Sequence, residues 1–151
     1  MKATRRRVVF VHHGSGMGGA PQLLLTFLRR LDPARYEPVI WCIRHSSASR
    51  LFEQHGFQVV YEPRVTPFLH ISDGFYGLRQ PHRVLAMLWG QLRSYRTACR
   101  MFRQLRPDVI HINSVVVPGV LCAAAQCACP VIVNVLECVH PGYSGLRARL
   151  L

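Results

Sequence analysis

Residues 8–11, Val-Val-Phe-Val, are apolar without interruption and end a first strand read over 5–11, and short runs rich in valine and isoleucine recur at 36–43, 57–62, 108–114 and 130–136. Runs of this length with little polar alternation suit strands buried on both faces of a sheet. The intervening segments follow a helical period instead. Over 20–31, Leu23, Leu24, Leu28 and Leu31 recur at helical spacing, and Pro21 suits a first turn, where its missing N–H costs nothing. A short helix over 48–56 ends at Gly56, a long one over 82–106 stops before Pro107, and a fourth spans 116–128. Pro130 occupies the first position of the last strand, where proline is tolerated. The stretch from Pro63 to Pro81 is read as a long loop, the kind that carries function or motion.

Strict alternation of strand and helix predicts an α/β fold with a Rossmann-like parallel sheet and helices on both faces. Ligands of such sheets bind beyond the carboxyl ends of the strands, where the strand order reverses. Those ends hold the glycine-rich turn after residue 11, Arg44 and His45, the Pro63–Pro81 loop, residues 111–114, and residues 137–145.

Composition narrows the class. A chain of 151 residues is the size of one domain with a real core. The apolar run after the basic start is too short for a secretory segment, and none reaches membrane-span length, so a cytoplasmic location is expected. The six cysteines (42, 99, 122, 127, 129 and 138) mostly fall inside apolar runs with no C-x-x-C pair, which predicts reduced core thiols and no metal site. His12 and His13 do not change that, because strand neighbours point to opposite faces. A net charge of +12 favours anionic partners without choosing among nucleic acid, lipid and phosphorylated ligands; 18 of the 19 basic residues are arginine, which partly reflects codon usage.

Gly14, Gly16 and Gly19 form a literal G-x-G-x-x-G. A triphosphate P-loop is excluded, because no Gly-Lys-Ser/Thr follows. With Pro21 in the first turn, Gly18 and Gly19 are expected to precede the helix, unlike a dinucleotide fingerprint, whose third glycine lies inside it. The second strand ends in Arg44-His45 rather than an acidic residue, which leaves open an NADP(H) module with its 2′-phosphate on Arg44. A turn that bares backbone amides to an anion at the helix N-terminus, and a merely permissive turn, are the other readings.

Several stretches in order carry a resemblance: Gly18-Gly19-Ala20 opening the first helix, His55-Gly56-Phe57-Gln58-Val59-Val60, Arg106-Pro107-Asp108-Val109-Ile110-His111, and Pro130-Val131-Ile132-Val133 running on to Glu137. Together they resemble the amino-terminal domain of family 4 glycosyltransferases, which have the GT-B fold, over nearly the whole chain. The resemblance implies an acceptor-side domain of an enzyme moving a sugar from a nucleotide-diphosphate sugar to a glycan or lipid-linked acceptor. It implies no resident cofactor. Nothing matches the carboxyl-terminal donor domain, so the chain is expected to be incomplete at its carboxyl end and inactive alone, with that domain in a longer or separate chain.

By the same resemblance Gly18 and Gly19 lie against the donor diphosphate, while Pro21 stands where many relatives carry an acidic or polar residue. Glu137 and His140 fall where relatives place acceptor contacts and a base, so they are the candidate catalytic residues. His111 and Asn113 alternate along the fourth strand and are expected on one side of it, near the ligand edge. Asn113 and Ser114 suit sugar hydroxyls, with Ser114 alternatively capping the next helix and His111 alternatively a satisfied core histidine.

The long helix carries Arg93, Arg96, Arg100, Arg103 and Arg106 over an arc of about 140°. Beside it Leu85, Leu88, Leu92, Tyr95, Cys99 and Phe102 make an apolar face, and the two arcs overlap. The stripe is either a solvated basic face or an anchor at the inner face of an anionic membrane, with Arg93, Arg96, Arg100 and Arg103 in contact. A basic nucleic-acid-binding domain is the remaining alternative, disfavoured by the absence of stacking aromatics.

Overall fold

A computed structural model of the chain describes residues 5–68 and 81–136. Among the described residues five strands and four helices alternate: β1 (Arg6–His12), α1 (Gly19–Leu28), β2 (Tyr36–Cys42), α2 (Ser47–Gln54), β3 (Gln58–Tyr61), α3 (Pro81–Leu105), β4 (Val109–Ile112), α4 (Pro118–Ala124) and β5 (Val131–Val133). The strands form one parallel sheet in the order β3-β2-β1-β4-β5. The order reverses between β1 and β4, which opens a crevice at their carboxyl ends.

Alternate residues of the strands feed two cores, as the period of two requires. Val8 and Phe10 of β1 with Ile40 and Cys42 of β2 pack under Leu24, Leu25 and Leu28 of α1 and Phe52 of α2. Val9, Val11, Val39, Trp41, Ile110 and Ile112 face the other way, against Ala98, Met101 and Phe102 of α3 and Val120, Ala123 and Ala124 of α4. Trp41 meets Phe102 edge-on at 5.7 Å, the kind of aromatic pair that adds roughly 0.5–1.5 kcal/mol beyond area burial.

Local chemistry sets the boundaries. Gly56 stands just past α2 with φ +79°, and its amide donates to the Glu53 carbonyl, the left-handed stop expected of a glycine there. Ser46 and Ser49 cap the other end of α2 reciprocally. Gly119 lets α4 approach α3: a Cβ there would lie 2.5 Å from the Gln91 carbonyl oxygen.

Some expectations need correction. The helix after β1 begins at Gly19, not after it, with Gly18 as its N-cap. β4, β5 and α4 are shorter than their apolar runs, because pairing and not hydrophobicity ends a strand: β5 pairs only through Val131, Ile132 and Val133. All three of those residues are exposed, so cover on both faces does not extend to that edge.

The apolar face of α3 is buried only towards its end. On it Leu85, Leu88 and Leu92 are exposed, Tyr95 and Cys99 are half-buried, and of the six only Phe102 is buried. Small and polar residues form the inner side: Gly90, Ser94, Thr97 and Ala98 allow the close approach that leucines would block.

Among the cysteines, Cys42 is a core thiol, its pKa pushed up to about 12 by burial and by Glu53. Cys99, Cys127 and Cys129 are half-buried and pack against the core, while Cys122 is exposed and departs from the expectation of core thiols; all five are free. Cys138 lies outside the described residues. Of the long loop, residues 63–68 are described, and Val65 and Phe68 are buried beside α3 and α4.

Candidate functional site

The carboxyl edge gathers the ends of β1, β4 and β5 around the first turn of α1. Gly18 caps α1 without a side-chain hydrogen bond, and the first turn carries no acidic residue. Helix geometry leaves the leading amides without intrahelical acceptors. Pro21 is the third helical residue and has no N–H, so Gly19 and Ala20 are the first-turn donors. A Cβ at Gly16, Gly18 or Gly19 would meet nothing within 4 Å, so the turn stands open on that side. Ser47 Oγ donates to the Ser15 carbonyl at 2.9 Å, tying the turn to the start of α2.

Gly14 has a different task. A Cβ there would sit 3.1 Å from Nε2 of His12, so glycine lets the turn fold over that ring. His12 is fully buried, edge-on to Phe52 at 5.6 Å. Burial first, then the charge of His13, lowers its pKa to about 4, so the ring is neutral at physiological pH. Asn113 Nδ2 lies 3.4 Å from His12 Nδ1 and 3.5 Å from the Ala20 carbonyl oxygen, while Asn134 Nδ2 donates to Asn113 Oδ1 at 3.1 Å. A chain of amides therefore runs from β5 across β4 to β1. With Nδ1 accepting, the His12 proton resides on Nε2, which has no hydrogen-bond partner under the turn.

His111 and Asn113 lie on the same side of β4, as the strand period implied. They line a pocket of about 310 Å³ with Leu23, Phe27, Ile132 and Asn134. His111 stacks on Phe27 at 5.8 Å, and burial lowers its pKa. Ser114 is not brought to that pocket. Its buried Oγ accepts the Val116 amide at 3.0 Å, shaping the turn before α4, whose N-cap is Val117 and not Ser114.

Arg44 is exposed beyond β2, while His45 stacks on Tyr61 at 3.5 Å. Nearby, Glu62 is buried and bound by Arg64 through Nε at 2.8 Å and a terminal nitrogen at 2.6 Å, which lowers its pKa. Glu137 and His140 lie outside the described residues. The α3 arginines 93, 96, 100 and 103 are exposed.

Strand register could have found His12, which continues the inward series of Val8 and Phe10. Asn134, the one polar residue within 130–136, was equally findable. A larger cavity of about 550 Å³, lined in part by Cys99, Arg103, Arg106 and Cys127, opens at the amino edge, away from the glycine turn. Among the described residues no cluster of three or more His, Cys, Asp or Glu is placed to hold a metal ion. Nor is any helix there long and apolar enough to cross a membrane.

No family model matches the chain, and no curated protein does. Solved structures do. The structure of Anabaena Alr3699/HepE in complex with UDP superposes with a TM-score of 0.57 at 16% identity, covering 95% of this chain and 33% of that one. MurG of Acinetobacter baumannii superposes with a TM-score of 0.55 at 15% identity, covering 84% of this chain and 33% of that one. Both are GT-B glycosyltransferases, and this chain spans about a third of their length. At such identities the likeness is one of fold: the chain has the five-stranded, Rossmann-like α/β architecture found within GT-B enzymes.

Proposed function

We propose that this chain is the acceptor-side, amino-terminal domain of a nucleotide-sugar glycosyltransferase of the family 4 kind, acting with a donor-binding domain in a longer or separate chain. The observation that carries the reading is the open Gly18–Gly19 turn at the N-terminus of α1, beside the strand-order reversal of a GT-B-like sheet. An anion is favoured there by the first-turn amides and the helix dipole. The glycines let a diphosphate reach the backbone without displacing a side chain.

In this reading the donor is a nucleotide-diphosphate sugar, a role consistent with the UDP bound by one structural neighbour. His111 and Asn113 face a glycan or lipid-linked acceptor from the pocket against α1, and Ser114 holds the turn behind them. Glu137 and His140 orient or deprotonate the attacking hydroxyl. In this reading transfer also uses the donor-binding domain, as this chain spans about a third of the length of its structural neighbours.

The test is an amide titration by NMR of the isotope-labelled chain with UDP, and separately with NADPH. Weak, fast-exchanging shifts are expected from UDP at Gly18, Gly19 and Ala20, and Gly18→Val should remove them without unfolding the chain. Saturable NADPH binding that Arg44→Glu abolishes would replace this reading with a dinucleotide module. Absence of any UDP response at the turn overturns it.

A further inference from the structure

The cavity of about 550 Å³ lies at the amino edge of the sheet, where α3 and α4 end, and the glycine turn opens at the opposite edge. Its size falls within the roughly 300–1,000 Å³ of small-molecule sites. Three thiols, Cys99, Cys127 and Cys129, share its wall with Phe102 and Ala123. Burial raises the pKa of Cys127 and Cys129, so at physiological pH they are neutral and act as apolar surface. Among the described residues no acidic side chain lines the cavity; its charged side chains are Arg103 and Arg106.

Neither arginine is paired. Arg7 and Arg64 are held by Glu37 and Glu62, but Arg103 and Arg106 form no ion pair among the described residues. Arg103 Nε donates to the Cys99 carbonyl at 3.2 Å, which lays the side chain back along α3 beside the cavity. Arg106 is unusual in its backbone: its φ of +47° is left-handed, and among the described residues no other non-glycine has a positive φ. Its amide donates to the Phe102 carbonyl, so it terminates α3 much as Gly56, at φ +79°, terminates α2. Glycine adopts that conformation without steric cost, and arginine does not. A helix stop alone would be better served by glycine at position 106, so the strained arginine points to a use for its side chain.

We infer that this cavity binds a small aromatic acid, its ring against the sulfurs of Cys99, Cys127 and Cys129 and its phosphate or carboxylate oxygens on Arg103 and Arg106. Charge complementarity selects an anion, and the guanidinium fork matches the paired oxygens of either head group. The thiol-lined wall selects an aromatic body, because sulfur packs favourably against ring edges. A metal cation would meet two guanidinium charges and protonated thiols. The inference does not rest on the glycosyltransferase reading, since this ligand sits across the sheet from the glycine turn and does not compete for it.

The test is a titration of the full isotope-labelled chain with naphthyl phosphate and with naphthoate, followed by amide shifts. Inorganic phosphate and naphthalenemethanol supply the charge and the ring separately. Saturable shifts are expected at residues 102–106 and 126–129, with at least one acid binding about tenfold more tightly than either half; the tighter acid identifies the head group. Arg103→Gln with Arg106→Gln should weaken binding about tenfold. Ala128→Trp, at an exposed position of the wall, should block it with unchanged circular dichroism. Arg106→Gly should also weaken binding, yet raise the thermal midpoint by about 2–4 °C as the backbone strain is released. Bound ligand should slow alkylation of Cys127 and Cys129 and leave Cys122, which is exposed and outside the cavity, unchanged. The absence of saturable shifts at the cavity overturns the inference. So does equal binding of naphthalenemethanol and both acids, or binding that the double glutamine variant retains. A midpoint lowered by Arg106→Gly makes the arginine a structural residue and overturns it as well. Shifts confined to residues 18–20 overturn it while leaving the glycosyltransferase reading in place.

Discussion

His12 ends β1 with its ring fully buried, and that burial, reinforced by His13, holds its pKa at about 4. An unfolded histidine titrates near 6.5, so between those values the unfolded chain takes up a proton that the folded chain refuses. Stability is therefore complete above pH 6.5 and falls as the pH drops towards 4, by up to roughly 3 kcal/mol. Thermal midpoints measured across that window should decline, and His12→Gln should flatten the decline. Glu62 acts lower on the scale: Arg64 depresses its pKa, so its contribution is lost only as the pH falls through that depressed value. A midpoint that stays level from 6.5 to 4 contradicts the assignment of His12 as a buried neutral ring. At this scale the sequence was partly legible. The period of a strand put His111 and Asn113 on one side, but it did not say that Asn113 would be held by His12 and Asn134.

Single elements depend on a few contacts of opposite kinds. Ser46 caps α2 by accepting the Ser49 amide at 3.2 Å, and Ser46→Ala should cost about 1 kcal/mol in denaturant unfolding. Gly119 is closed in by Gln91, Ser94 and Tyr95 of α3, so Gly119→Ala must push the two helices apart, at roughly 1–3 kcal/mol. Gly16→Ala is the control: its Cβ meets nothing within 4 Å, and a change within about 0.5 kcal/mol is expected. Equal losses at both glycines would mean that backbone entropy, not close packing, sets the requirement at residue 119. Strands β1 and β2 were readable because their apolar runs fall largely within seven-residue ladders. β5 was read too long, because the apolar run continues past the last paired residue. What covers the apolar face of α3 was not legible, because leucine spacing marks a stripe without saying whether protein or solvent lies opposite.

Across the whole molecule, the parallel order β3-β2-β1-β4-β5 brings the ends of β1, β4 and β5 together although they come from distant parts of the chain. The polar chain of Asn134, Asn113 and His12 exists only through that order. Among the described residues the same order leaves β5 at an edge with Ile132 half exposed, a surface that invites strand addition. Ile132→Lys should lower concentration-dependent association in sedimentation velocity and leave the thermal midpoint almost unchanged. If association is unaltered, the edge of β5 is not where copies meet.

By itself the sequence determined what depends on near neighbours: the alternation of strand and helix, the glycine turn ahead of α1, the stop at Gly56 and the pairing of His111 with Asn113. Periodicity and backbone chemistry act over a few residues, so these could be read in one pass. Which side of α3 is buried, where β5 stops, why residues 14 and 119 are glycine, and which partner holds Asn113 were decided only in three dimensions. Each depends on what a distant segment places opposite, and the spacing of residues along one chain does not encode that distance.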